Sequence, residues 1–457
     1  MRTIEEILNF DRPAADIVAD LTNKTIRLRP WSDLRREYDP EMHPVVADKS
    51  YTDVVEDGKV DRVTRITYDL QRLATKRMTE LTVGIPVKRV YKAENDRQQE
   101  AADLIESIYK RVHIDSVNVD RCNKLFAGCE IVTLWYGVRQ PNKYYGLQSD
   151  VKIRCATYSP MNGDRLYPLF DESGDLIALS IAYTRKVADA EITYFDAYTA
   201  DQHIKFDNQG GWRLIGREEI KIGKIPAIYC YRPTPIWEQT SRLVYEMEWA
   251  MSRNGNYLRK NSRPLLAVYA DEQIPMGDSP AQDKSFKDIF QFPSGSRVEY
   301  VTWPQATPSL EFYLKELRQQ FFTQLQLPDW SYESMKSTPM SGESRKQLFI
   351  DCQMKVRDEA GRLLEAFDRE TSVVKEFAKT IRPDLTDAIA DVGVENVITP
   401  FMLEDSADKV NEYATATASN IMSRKSAIQK LGYTQNADEE LAQMRAEAAA
   451  DALETAM

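Results

Sequence analysis

The chain has 457 residues, is 42% hydrophobic and 29% charged, and carries a formal net charge of −11 at a mean hydropathy of −0.50. That supplies apolar side chain for a sizeable core in roughly two to four domains, and 10% aromatics argue against wholesale disorder. No stretch is apolar enough for a membrane span or a secretory signal, and the acidic balance speaks against a broad basic face that grips duplex DNA.

The segment from Thr3 to about Leu34 reads as a helical arm broken at Pro13. Val63, Ile66, Leu70, Leu73, Met78 and Leu81 recur at helical spacing, so residues 61–81 are expected to form an amphipathic helix ended by Gly84-Ile85-Pro86. VKRVY follows as a short strand. Helices are expected at about 95–112 and 114–127, the second ending at Gly128. From CEIVTLWYG to about residue 230 the chain turns into short β-branched and aromatic runs. Asn162-Gly163, Ser173-Gly174 and Gly210-Gly211 split them, which predicts a mostly antiparallel region.

Helix then returns. Residues 238–262 place Leu243, Met247, Ala250, Met251, Asn254 and Leu258 on one face, and Leu310, Leu314, Leu317, Phe321 and Leu325 form a stripe over 309–327. Between them lie the strand LLAVYA, a polar loop and the run SGSRVEYVTWP. After Leu327-Pro328-Asp329, the small polar stretch 331–342 reads as an exposed loop. A long helix is expected from about Glu343 to Ile381, with the stripe Leu348, Cys352, Val356, Leu363, Phe367 and Val374 and a kink at Gly361. The tail from Asp405 is helical by composition, and acidic over 434–457.

Signals for catalysis are absent. The histidines, His43, His113 and His203, sit in no metal-ligand spacing, and no nucleophile elbow or glycine-rich phosphate loop occurs. Asp33, Glu37 and Asp39 read as a solvated acidic face. Cys122, Cys129, Cys155, Cys230 and Cys352 form no C-x-x-C pair and read as reduced, buried thiols. No enzyme activity, cofactor or metal is expected. The alternative from another class is a metal-dependent nuclease or other enzyme using an acidic cluster; a scaffold or other minor head protein is the remaining reading.

Three stretches carry a likeness. The β-rich block holds TYSPMNGDRLYPLFD and closes with GKIPAIYCYRPTP; LPDWSYESMKSTPMSGESRKQLF follows the second stripe helix; MSRKSAIQKLGYTQNADEELAQMRAE lies near the end. In this order they resemble the siphophage-type portal (head–tail connector) family over essentially the whole chain. One departure is Thr338-Pro339-Met340-Ser341-Gly342, where the family has Asn-Ser-Ser-Gly.

The resemblance implies an α+β portal fold that assembles as a ring, expected to be a dodecamer. Residues 1–237 would be the first part of the wing, 238–262 and 307–328 the two stem helices, 263–306 a small α/β clip, 329–342 the tunnel loop, 343–404 the long wing helix and its return, and 405–457 a helical crown. The tunnel loop would put Ser331, Tyr332, Glu333, Ser334, Met335, Lys336, Ser337, Thr338, Pro339, Met340 and Ser341 on the DNA channel. Lys336, Arg345 and Lys346 would be its phosphate contacts. Asp283, Lys284, Phe286, Lys287 and Phe290 of the clip would dock the terminase large subunit and head–tail adaptor proteins. Tyr245, Trp249, Phe312, Tyr313 and Phe322, off the main stripes, are candidates for subunit contacts. Double-stranded DNA, major capsid protein and scaffold protein are the other implied partners, and no membrane. The implied location is a virion vertex, after assembly in the host cytoplasm. An acidic or neutral channel wall would let DNA slide with few phosphate contacts.

Overall fold

The computed structural model describes residues 3–24, 26–56, 59–187, 190–261, 265–269, 297–301, 307–329, 349–401, 406–432, 434 and 437–455. An N-terminal arm holds α1 (Ile4–Ile7), α2 (Ala14–Leu21), α3 (Trp31–Tyr38) and α4 (Pro44–Ala47), followed by the hairpin β1 (Val54–Glu56) and β2 (Lys59–Asp61). Next come α5 (Leu70–Val83), β3 (Lys88–Lys92), α6 (Asp96–Arg111) and α7 (Ile114–Gly128). The β-rich block contains β4 (Glu130–Asn142), β5 (Ser149–Tyr158), β6 (Arg165–Phe170), β7 (Leu176–Val187), β8 (Ala190–Tyr198), β9 (Gln202–Asp207), β10 (Arg213–Glu219) and β11 (Ala227–Tyr231). After it stand α8 (Ser241–Asn261), the hairpin β12 (Leu265–Tyr269) and β13 (Arg297–Val301), and α9 (Thr307–Gln324). The chain ends with α10 (Ile350–Ile381), α11 (Thr386–Asp391), β14 (Gly393–Val397), α12 (Ser406–Ala418), α13 (Arg424–Leu431) and α14 (Ala437–Thr455).

The fold is α+β, as expected, and its β-rich block is antiparallel. One sheet has the order β10-β9-β8-β7-β6, a second β11-β4-β5, and β14 pairs with β3. Period-two alternation sorts the side chains into layers. On β7, Ala178 and Ala182 face α1 and α2, while Leu179 and Ile181 face the second sheet. On β4, Val132 and Leu134 meet that sheet, and Ile131 and Trp135 point into a helical core with α5, α6, α7 and α10. The order is therefore helix, sheet, sheet, helix. The long-helix stripe holds, since Cys352, Val356, Leu363, Phe367 and Val374 are buried. Leu348 lies outside the described residues, and α10 runs helical through Gly361.

Inside the helical core a buried ion pair ties distant segments together. Arg121 of α7 donates two hydrogen bonds to Glu370 of α10, at 2.7 and 2.8 Å, and a third to Asn118 at 2.6 Å. Trp135 Nε1 donates to Glu370 at 2.9 Å, and Tyr109 pairs with Thr371 at 3.1 Å. A bidentate guanidinium–carboxylate pair with further donors meets the condition under which buried charge is tolerated.

Three expectations are corrected. The arm is not one helix broken once: Pro13 and Pro30 each precede a separate helix, with non-helical chain at 22–24 and 26–30. The helix expected over 61–81 begins only at Leu70. Residues 62–69 instead run along α8 without helix, and α8 side chains take up the backbone N–H of alternate residues. Tyr68 N donates to Glu248 (2.8 Å), Ile66 N to the Ser252 hydroxyl (2.9 Å) and Thr64 N to Asn256 Oδ1 (2.6 Å). From Thr64 to Tyr68, every second residue of the segment thus meets every fourth residue of the helix. Gly255 permits the approach, because a Cβ there would stand 2.9 Å from Thr64 Cγ2. The same contact turns α8: Val244, Met247, Glu248 and Ser252 are buried, while Leu258 of the expected stripe is exposed.

Candidate functional site

The helices α8 and α9 pack on each other and flank the β12–β13 hairpin. Their feet are sunk in the helical core through Val244, Met247, Phe321, Leu325 and Leu327. The stripe expected on α9 holds, with Leu314 and Leu317 packed against the same core.

At the foot of α8 the arm supplies the polar contacts. Gln239 adopts φ of +71° and Trp237 is sealed from solvent. Glu37 of α3 accepts from Trp237 Nε1 (2.9 Å), the Ser241 hydroxyl (3.0 Å) and Arg29 (2.5 Å). Glu37 therefore does not belong to a solvated acidic face, although Asp33 stays exposed. Two helical turns into α8, His43 Nδ1 donates to Glu248 Oε1 at 2.6 Å, and Nε2 donates to the Glu37 carbonyl at 2.9 Å. Both acceptors lack hydrogens of their own, so the geometry calls for an imidazolium facing a carboxylate. Burial pushes the His43 pKa down, but the Glu248 bond and charge and the Glu37 carbonyl outweigh it, and the net direction is up.

The exit of α9 is clamped from three sides. Gln326 takes φ of +52°, and Lys355 of α10 donates to the Leu325 carbonyl at 2.6 Å. Burial lowers the Lys355 pKa. Arg77 of α5 donates to the Pro328 carbonyl at 2.6 Å and lies 4.7 Å from the Phe322 ring centre. Arg318 holds Asp329 at 3.0 Å. The chain therefore leaves Asp329 from a fixed point, toward the stretch expected to be a loop.

The aromatic candidates divide. Phe312 is 69% exposed and Tyr313 is 42% exposed, with the Tyr313 hydroxyl bonded across to Glu246 of α8 at 3.1 Å. Tyr245 and Trp249 are half-buried under the chain's own aromatics, edge-on to His43 at 5.3 Å and to Tyr51 at 5.1 Å. Phe322 is corrected: at 4% exposure it is part of the fold's own core, beside Phe321 and under Arg77. The exposed charges of the helix pair lean basic, with Arg242, Arg253, Arg259, Lys315 and Arg318 against Glu246 and Glu311. The acidity of the whole chain does not extend to these two helices.

Asp283, Lys284, Phe286, Lys287, Phe290, residues 331–341, Arg345 and Lys346 lie outside the described residues. The residues that sequence reasoning missed are Glu37, His43, Arg77, Glu248 and Lys355. Their signal is partnership across 30 to more than 200 positions, which no local pattern carries. Four of the five cysteines are buried and Cys155 is half-buried, all as free thiols.

A family model described as phage portal protein, SPP1 Gp6-like, matches residues 22–453. No curated protein matches the chain. Among solved structures, a chain in "Neck of empty GTA particle computed with C6 symmetry" is 11% identical, with 89% of this chain and 95% of that one covered at a TM-score of 0.43. One in "Neck of native GTA particle computed with C12 symmetry" is 10% identical, covering 93% and 99% at 0.42. A third, in "Virion of native gene transfer agent (GTA) particle", is 9% identical, covering 92% and 99% at 0.39.

Proposed function

The chain belongs to the SPP1 Gp6-like phage portal family, and on that premise we propose that its copies form the ring through which double-stranded DNA enters and leaves a tailed-phage capsid. The observation that carries the reading is the family match over residues 22–453, nearly the whole chain. It favours a structural and translocating part over a metal-dependent nuclease or another minor head protein. In this reading the ring is a dodecamer at one virion vertex, assembled in the host cytoplasm among major capsid and scaffold proteins.

The helix pair α8 and α9 is the stem, and the β12–β13 hairpin is the base of the clip. Asp283, Lys284, Phe286, Lys287 and Phe290 of the clip dock the terminase large subunit during packaging and head–tail adaptors afterwards. Residues 331–341 are the tunnel loop, held at its root by Arg77, Lys355 and Arg318 through the contacts described above. A loop that touches moving DNA needs such a root, since force on its tip is passed to the segments that hold it. Lys336, Arg345 and Lys346 make short-lived phosphate contacts, few enough to limit the counterion-release affinity that would stall DNA. Phe312 and Tyr313 lie between neighbouring stems, where burial of exposed aromatics favours assembly.

Negative-stain microscopy of the purified chain, paired with a packaging assay on a chain lacking 331–341, tests the proposal. Rings with a central opening are expected from both proteins, with DNA packaged or retained only by the intact one. Monomers from the intact chain would overturn the ring, and normal packaging by the deletion would overturn the loop's role.

A further inference from the structure

We propose that the three C-terminal helices are completed by the neighbouring copy of the chain, with the acidic α14 of one copy seated on the basic α13 of the next. This rests on the ring reading above and names a contact within it.

The first support is burial. Among the described residues of α12, α13 and α14, only Ala427 and Ala437 are buried. Val410 is 39% exposed, Met444 43% and, in the turn before α13, Ile421 81%. At 13 and 8 residues, α12 and α13 are marginal in water unless an apolar face is covered, and two alanines cover little. Yet the helices are well delimited. Ser423 caps α13 by accepting from Ser426 N, and Gly432 ends it at φ of +69°. Within the chain α12 packs on α13 and α13 on α14, and among the described residues Val410, Ile421 and Met444 still stay exposed.

The second support is charge. In α13, Arg424, Lys425 and Lys430 occur without an acidic residue. In α14, Asp438, Glu439, Glu440 and Glu447 outweigh Arg445. The first-turn acids also suit the helix dipole, but Glu447 lies in the third turn, where the dipole gives it no reason to be acidic. Lys425 already reaches Asp438 at 2.7 Å within the chain, while Arg424 and Lys430 have no ion-pair partner among the described residues. One chain thus carries two unlike, complementary surfaces. Unlike surfaces join head to tail, the contact that closes a ring. An acidic helix would repel DNA, which leaves a second copy of α13 as the fitting occupant.

The test uses two full-length chains, one with Gln429→Cys on α13 and one with Gln443→Cys on α14, mixed and treated with a short bis-maleimide. The five native thiols do not interfere, because burial pushes them up to about 11 or 12. A covalent dimer is expected only from the mixture. Arg424→Glu with Lys430→Glu in both chains should lower its yield about tenfold, and adding Glu440→Lys with Glu447→Lys should restore it. Particle mass is read on the same samples. Ring-sized particles without the dimer, or a dimer indifferent to charge reversal, would overturn this contact and leave the ring standing. Monomeric mass in the parent chain would overturn the ring reading and this contact with it.

Discussion

His43 and Glu248 are 205 positions apart and meet at 2.6 Å with neither side chain exposed. The second oxygen of Glu248 has no hydrogen-bond partner among the described residues, so the carboxylate relies there on His43 and the Tyr68 amide for its compensation. The pair fastens the arm and the extended strand to the same turn of α8.

A pH dependence follows. The His43 pKa is raised in the fold, because Glu248 and the Glu37 carbonyl outweigh the larger single effect of burial. A base raised on folding gives its full stabilisation below its unfolded pKa of about 6.5. That stabilisation is lost as pH climbs through the folded value. The thermal midpoint of the parent chain should therefore drop relative to His43→Gln over the range above about pH 6.5. Parallel melting curves across that window would show that the pair does not change charge.

Glu370→Ala should destabilise the chain by about 3–5 kcal/mol in urea unfolding, because it strands the Arg121 guanidinium in the core. Arg121→Met combined with Glu370→Leu should cost less than Glu370→Ala alone. A double variant worse than the single would mean that the pair contributes net stability, against the usual desolvation argument.

Gly255→Ala should weaken the fold although alanine is the better helix former by about 1 kcal/mol. The added methyl meets Thr64 Cγ2 at 2.9 Å and must push residues 62–69 off the helix. Faster proteolytic cleavage near Thr64 is the expected readout. In a Thr64→Gly background the same change should be neutral or stabilising.

Phe312→Ser and Phe322→Ser separate assembly from folding. The first removes a ring that is 69% exposed and should leave the melting temperature of a single chain unchanged while lowering particle mass. The second opens a cavity in the core and should cost about 3–5 kcal/mol. Equal effects of the two on folding would contradict the burial pattern.

Much of the fold was legible because its signals are local. Turn glycines mark strand ends: Gly163, Gly174, Gly210 and Gly211 all take positive φ between strands. The α10 stripe is regular enough to read from Cys352 to Val374. The failures share one cause. Val63, Ile66 and Leu70 have helical spacing, but Glu248, Ser252 and Asn256 capture the backbone of residues 64–68 from about 190 positions away. Phe322 lies off the α9 stripe, and it is covered by Arg77, brought from distant α5, and by its neighbours in the core. At the candidate site, Phe312 and Tyr313 lie off the apolar stripe of α9 and are exposed in the single chain. Composition carried no sign that Glu37 serves as a half-buried acceptor for Trp237, Ser241 and Arg29.

The contact between residues 62–69 and α8 behaves as a vernier. Four helical residues advance about 6.0 Å and two strand residues about 6.7 Å, so each rung falls behind by roughly 0.7 Å. Over three rungs the drift is small enough that Glu248, Ser252 and Asn256 all still bond, at 2.8, 2.9 and 2.6 Å. A fourth rung would be out of step by about 2 Å, beyond hydrogen-bond tolerance. The scale therefore has a natural end, and it fixes where along α8 the strand can sit: sliding by one notch would set all three amides against the wrong partners at once.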